Sequence, residues 1–296
     1  MRIVHLSDIH FWQYAFNPLR LMSKRLAGTV SLLAGRARRF PLAGVPRLVD
    51  RVRSLEPDHI LITGDMTTTA LPDEFRAARR ALSEFLEEPA RVTVIPGNHD
   101  RYTWWAHRSR RFERFFGEFA PRHRYPWLRQ IDPDTVIVGL DPTRAAVTAR
   151  GKLPPHQLDE ARQIVAAARG QSARVIIACH YPVDAPDEYA AELTGKRLIN
   201  AREVRGWLAG IGPHLYCCGH IHAAWAFRPA DVPGQLCLNP GAPLLSGHAR
   251  RTPPGFLEIV LDRRDVTVQH HAWTGDAWDV RLLRREGDFF DDSPVA

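Results

Sequence analysis

Cysteine is scarce in this chain and poorly spaced for its usual jobs. Only 4 of the 296 residues are cysteine, at positions 179, 217, 218 and 237. None forms the C-x-x-C pair of a structural zinc site or a redox centre. Cys217 and Cys218 are adjacent and point to opposite faces if they lie on a strand, so the reading is buried, reduced thiols. Long apolar runs are missing as well: no stretch approaches the roughly 18 residues that a membrane-spanning helix needs. The chain enters a strand pattern at Arg2-Ile3-Val4-His5-Leu6, which leaves no room for a cleaved leader, and a cytoplasmic protein is expected. Lysine is nearly absent: three of the 40 basic residues are lysine, and arginine carries the formal charge of +7. That balance admits nucleic acid or an anionic surface as a partner. It equally describes a genome that uses arginine for every solvated cation. No accessory nucleic-acid motif accompanies the charge, so nucleic acid is not expected as a partner.

What is present is an ordinary globular composition, 45% apolar and 25% charged, able to bury a large core. Short apolar segments read as strands at Ile3-Val4-His5-Leu6, His59 to Ile62, Val92 to Ile95, Val136 to Val138, Val175 to Ala178 and His214 to Cys217. Helical spacing separates them. One helix starts at Pro72 with Phe75, Ala78, Leu82, Phe85 and Leu86 on one face, and proline suits a first turn. Another runs from about Pro155 to Ala168, and a third from about Ala201 to Leu208. After Gly219 the pattern turns to strands joined by Pro/Gly turns, at Ala223 to Phe227, Gln235 to Leu238, Gly255 to Leu261 and Val266 to Ala272. The chain therefore begins as βαβ units and ends as a meander. A single α/β domain is expected over residues 1–284, with an insertion at 11–46 serving as a cap or flap and a loose acidic tail at 285–296.

The unusual polar residues all fall just past a strand. Asp8 and His10 follow the first, Gly64-Asp65 the second, Gly97-Asn98-His99-Asp100 the third, His180 a later one, and Gly219-His220-Ile221-His222 the next. In open α/β sheets the loops at the carboxyl ends of strands converge on one crevice. Asp, Asn and Gly also favour turns, so any one cluster is weak evidence, whereas five in this order point into one site. Asp8, His10, Asp65, Asn98, His180, His220 and His222 offer oxygen and imidazole ligands and no thiolate. That set suits Mn, Fe, Zn or Mg rather than a cysteine-rich zinc site. Seven ligands exceed what one ion needs and suit two ions sharing a carboxylate, a device for in-line phosphoryl displacement.

These pieces, spread over residues 8 to 222, resemble the calcineurin-like metallophosphoesterases. The resemblance implies a four-layer α/β/β/α sandwich with a dinuclear centre on one edge. It implies that Asp8, His10 and His222 hold the first metal, that Asn98, His180 and His220 hold the second, and that Asp65 bridges both. A hydroxide between the two ions would be the nucleophile. His99 would donate to phosphate and protonate the leaving alkoxide, with Asp100 holding its ring; a supporting strut is the other reading of His99.

Nine further histidines lie outside the motifs. His5, His214, His270 and His271 read as core or surface residues, and His248 as a residue near the rim at most. The Asp65-Met66-Thr67-Thr68-Thr69 loop and the Asn239-Pro240-Gly241 turn resemble those of small bacterial phosphodiesterases of this family, so a phosphodiester is the expected substrate. A phosphomonoesterase, a nuclease and a metal-bound interaction scaffold are the alternatives. Phe11 to Phe40 interleaves aromatics, aliphatics and cations directly after two metal ligands. It reads either as a flap packed on the sandwich or as a cap touching an anionic membrane surface. In the second case a lipid-linked nucleotide diphosphosugar would be the substrate, the enzyme acting as a pyrophosphatase.

Overall fold

The structure, a computed structural model, describes residues 1–13, 37–145, 148–171, 173–246 and 252–291. Two six-stranded sheets face each other. The first contains β1 (Arg2–Leu6), β2 (His59–Ile62) and β3 (Val92–Val94), followed late in the chain by β10 (Gly255–Asp262), β11 (Asp265–Trp273) and β12 (Trp278–Glu286). Its order is β12-β11-β10-β1-β2-β3. The second contains β4 (Trp127–Asp132), β5 (Thr135–Gly139), β6 (Arg174–Ala178), β7 (His214–Cys217), β8 (Ala224–Phe227) and β9 (Gln235–Pro240), in the order β4-β5-β6-β7-β9-β8.

Alternation along the strands assigns the layers. In β1, Ile3 faces the core between the sheets, where it meets Leu61, Ile137, Ile176, Leu215 and Leu257. Val4 and Leu6 face the other way, onto α1 (Val45–Ser54), α2 (Pro72–Ala81) and α4 (Arg111–Phe116), with α3 (Trp104–Arg108) beside them. The second sheet does the same in mirror fashion. Ile176 points inward, while Val175 and Ile177 pack on α5 (Pro155–Gly170) and α7 (Ala201–Leu208); the short α6 (Ala190–Thr194) lies before α7. Strands covered on both faces are mostly apolar, which is why Ile60, Leu61 and Ile62 follow one another in β2 without polar alternation. The result is the expected four-layer α/β/β/α sandwich.

Two details differ from the sequence reading. The final strands are not one meander: β8 and β9 complete the second sheet, and only β10 to β12 close the first. The expected loose tail from 285 begins too early. Arg285 and Glu286 pair with Thr267 and Val266 in β12, and Phe289 and Phe290 are buried between the sheets; residues 292–296 lie outside the described residues. β12 escaped notice because it is an edge strand whose arginine-rich residues are largely exposed. Most of the expected cap, residues 14–36, also lies outside the described residues, and its C-terminal end leads through Phe40 into α1.

The strand directions create the site. β1, β2 and β3 run parallel, and so do β5, β6, β7 and β9. The polar loops after β1, β2, β3, β6 and β7 therefore emerge along one edge of the sandwich, consistent with the crevice rule for carboxyl ends of strands.

Candidate metal centre

The loops that carry the seven candidate ligands are strained where the ligands sit. Asp8, His10, Asp65, His220 and His222 all adopt left-handed backbone, with φ of 54°, 56°, 53°, 73° and 61°. Each such non-glycine residue costs on the order of 1–3 kcal/mol and persists only where its surroundings enforce it. The enforcement is visible. Asp8 N donates to Gly64 O at 3.0 Å, His10 N to Asp65 O at 3.0 Å and Phe11 N to Met66 O at 2.8 Å, so the first two loops stay zipped together beyond their strands. Gly219 N donates to His180 O at 2.9 Å and joins the two loops of the second sheet. The glycines allow the loops to touch. A Cβ on Gly219 would overlap Ser7 Oγ and sit 2.6 Å from Asp8 Oδ2, and a Cβ on Gly97 would overlap the Asp65 carboxylate.

The side chains then converge in three overlapping groups, one of which is His10, Asp65 and His99. Asp8, His10 and His222 bring their ligand atoms within 4.8 Å of one another, and so do Asp65, His180 and His220. Between them, His10 Nε2 lies 3.8 Å from Asp65 Oδ2, and His180 Nε2 lies 3.4 Å from the same oxygen. Asn98 Oδ1 is 3.3 Å from His180 Nε2. His10 Nε2 and His222 Nε2 face each other at 3.2 Å, and His222 Nε2 is 3.1 Å from Asp8 Oδ1. The second nitrogen of His180 is tied to Thr63 O at 2.7 Å, which fixes the ring and leaves Nε2 aimed at the cluster.

These donors fit divalent cations. His220 Nε2 is buried with no hydrogen-bond partner among the described residues, a position a buried polar atom rarely holds without a missing partner. Burial opposes the charge on Asp8 and Asp65, yet both carboxyls stay well below the usual range. His222 and His180 hold Asp8 down, and His180, His99 and His10 hold Asp65 down. The cluster is thus a buried set of anionic oxygens and imidazoles that positive charge stabilises.

The calcineurin-like phosphoesterase family model matches residues 1–224. The chain belongs to that family. Among curated proteins, a glycerophosphodiester phosphodiesterase, GpdQ of Enterobacter lignolyticus, is 30% identical over 102 residues, a match covering 34% of this chain and 30% of the relative. Among solved structures, a dimetal phosphatase from Danio rerio aligns over 95% of this chain and 98% of its own with a TM-score of 0.60 at 15% identity, a likeness of fold. No helix among the described residues is long and apolar enough to cross a membrane.

Around these candidate ligands the site departs from expectation at one residue. Asp100 does not hold the His99 ring: His99 Nδ1 donates to Thr68 O at 2.6 Å. The Asp100 carboxylate instead accepts from Gly97 N at 2.9 Å, Met66 N at 3.3 Å, Thr67 N at 2.9 Å and Thr67 Oγ1 at 3.0 Å. It sits beneath the loop with its oxygens turned toward the backbone donors of the β2 and β3 loops. Burial, and next the charge of Asp65, push its carboxyl up to about 7.

His99 also donates its backbone N–H to Asp65 Oδ1 at 2.7 Å, and Tyr102 stacks on its ring at 5.5 Å. Two helpers were not assigned from the sequence. Phe40 packs edge-on against His10 at 4.7 Å and His222 at 5.8 Å, with its carbonyl held by Trp12 Nε1 at 2.8 Å. Asn239 donates from Nδ2 to Gly219 O at 2.7 Å and so braces the β7 loop. The cluster opens into a cavity of about 460 Å³ whose wall includes His99, Phe40, Leu245, Arg39 and Lys196. His5, His214, His270 and His271 are buried and belong to none of these groups; His248 lies outside the described residues.

Proposed function

We propose that this protein is a phosphodiesterase with a two-metal centre. Asp8, His10 and His222 hold one divalent ion, Asn98, His180 and His220 hold the other, and Asp65 is shared. The observation that carries the reading is the meeting of two ligand triads across Asp65 Oδ2, which lies within 3.8 Å of His10 Nε2 and 3.4 Å of His180 Nε2. Mn, Fe, Zn and Mg all suit this set of oxygens and imidazoles. Such ions, when bound, acidify water for attack and withdraw charge from phosphoryl oxygens. The resemblance of part of the chain to a glycerophosphodiester phosphodiesterase favours a diester over a monoester.

The chain's own residues do the rest. His180 is oriented through Thr63 O, and the His99 ring through Thr68 O. From the cavity wall, His99 supplies a proton to the departing alkoxide. Phe40 and Leu245 keep part of that wall apolar, which strengthens the charge interactions inside it.

The test is a manganese-loaded panel of bis-p-nitrophenyl phosphate, p-nitrophenyl phosphate, a methyl p-nitrophenyl diester and cyclic nucleotides. Diesters should be turned over faster than the monoester, and Asp65→Ala should lose at least about a hundredfold on every substrate. His99→Ala should lose about 10²–10⁴-fold where an alkoxide leaves, as in a cyclic nucleotide, and far less where p-nitrophenolate leaves without needing a proton. Full activity in Asp65→Ala would sink the shared-ligand arrangement, and preference for the monoester would sink the diester.

A further inference from the structure

Two cations line the metal cavity, one from each side of the sandwich. Arg39 ends the short helical turn Ala37–Arg39 that leads into the first sheet's helices. Lys196, one of only three lysines in the chain, follows α6 in the second half. Both are in the wall of the cavity that holds Asp65, His99 and His222. Neither side chain has an ion pair or hydrogen bond among the described residues, and among those residues Asp65 is the sole carboxylate in the cavity wall. Exposed arginines elsewhere are commonly matched: Arg53 lies 2.5 Å from Glu84, Arg122 2.7 Å from Glu160 and Arg264 2.7 Å from Asp291.

The backbones beneath both cations are pinned. Ser246 N donates to Arg39 O at 2.7 Å, Ser246 Oγ to Arg38 O at 3.0 Å, and Trp12 Nε1 to Phe40 O at 2.8 Å. Lys196 N donates to Leu193 O at 2.9 Å, between the buried anchors Leu193 and Leu198. Holding two unmatched cations in one wall raises their potential in the cavity, an arrangement that a bound anion relieves. The single negative charge of a scissile diester is already met by the metal centre, so this surplus has another use.

We propose that Arg39 and Lys196 form a second anion subsite, which selects phosphodiesters carrying a further phosphate away from the scissile bond. The inference rests on the phosphodiesterase reading and narrows its substrate class. A zwitterionic or neutral remote group gains nothing from the two cations, whereas a phosphate makes charge-assisted bonds to both.

A matched pair of ligands separates the contributions. Thymidine 3′,5′-bisphosphate and thymidine 5′-phosphate differ only in the remote phosphate, and each can be titrated into the purified protein by calorimetry. The bisphosphate should bind at least about tenfold tighter, a difference that falls toward one in Lys196→Ala and in Arg39→Ala and is largely kept in Lys196→Arg. The p-nitrophenyl esters of the same two nucleotides, cleaved at the 5′-phosphate, should show the same preference in kcat/KM and the same collapse. Equal binding of the two nucleotides by the unaltered protein would overturn the subsite, as would a preference that survives both alanine variants. If the protein cleaves bis-p-nitrophenyl phosphate in a manner lost in Asp65→Ala yet shows no preference, the subsite fails and the phosphodiesterase reading stands. If neither ester nor bis-p-nitrophenyl phosphate is cleaved, the phosphodiesterase reading falls and the subsite inference with it.

Discussion

Asparagine in place of Asp100 keeps the side chain's shape and turns one of its two acceptor oxygens into a donor. Four donors point at those oxygens, three of them backbone N–H groups from Gly97, Met66 and Thr67, so the new amide must face at least one of them head-on. A buried donor left facing a donor costs about 1–3 kcal/mol. The damage is directional, because Met66 and Thr67 follow Asp65, the proposed shared ligand, and Gly97 precedes Asn98, another proposed ligand. We expect Asp100→Asn to lower stability by that amount in urea denaturation and to weaken manganese binding by about 10–100-fold in calorimetric titration, as loss of a supporting residue does. The pH profile of kcat should keep its shape, because the His99 ring is held by Thr68 O and not by this carboxylate. A shifted profile with unchanged metal affinity would return Asp100 to the role of orienting His99.

Arg101, next in the chain, acts between elements. Its guanidinium is nearly fully buried and donates to both oxygens of Glu113 in α4, at 2.9 and 2.6 Å, and to Asp141 after β5, at 2.8 Å. One side chain therefore ties the loop of His99 to a helix over the first sheet and to a strand end of the second. Asp141 is itself held, accepting from Thr143 N at 3.0 Å and reaching α5 through Gln157. Removing the arginine strands two carboxylates in low dielectric. Arg101→Ala should cost about 3–5 kcal/mol, the range for breaking a buried pair from one side. Lysine cannot reproduce the fork and should recover only part of that. Urea denaturation decides it, and a cost below about 1 kcal/mol would mean that water reaches the network.

The same elements show what the sequence could and could not say. Strands buried on both faces, such as β2 and β6, announce themselves by apolar runs, and the candidate ligands at their ends stand out because few other duties require Asp, His and Asn in that order. Phe40 was hidden because an aromatic in an insertion reads as packing until its partners, the rings of His10 and His222, are seen. The role of Asp100 was hidden for a similar reason: adjacency to His99 in the chain says nothing about which way the carboxylate turns.

Across the whole sandwich, imidazoles stand in the strands beneath the metal edge. His5 in β1, His59 in β2 and His214 in β7 are all buried, hydrogen-bonded to Thr63 Oγ1 at 2.9 Å, Thr93 Oγ1 at 2.8 Å and Gln235 Oε1 at 3.2 Å. Burial is the leading cause that lowers their pKa values, to about 3, about 3 and about 4 against an ordinary 6.5. Below pH 6.5 the unfolded chain takes up protons that the folded chain refuses, so stability is complete above that pH and falls as the solution is acidified. Each such histidine contributes a slope of about 1.4 kcal/mol per pH unit until its folded pKa is reached. The buried carboxyls of Asp100 and Glu74, pushed up to about 7, bind protons in the folded state over the same range and offset part of this loss. The histidine share is read by urea denaturation from pH 7.5 to pH 4, run with a chelator so that metal release adds nothing, on the unaltered protein and a His214 variant. His214→Gln can still bond within the strand layer but cannot titrate, and its decline should be shallower by one proton's worth of slope between pH 6.5 and about 4. Parallel curves for the two proteins would show that His214 takes up its proton in the folded sandwich.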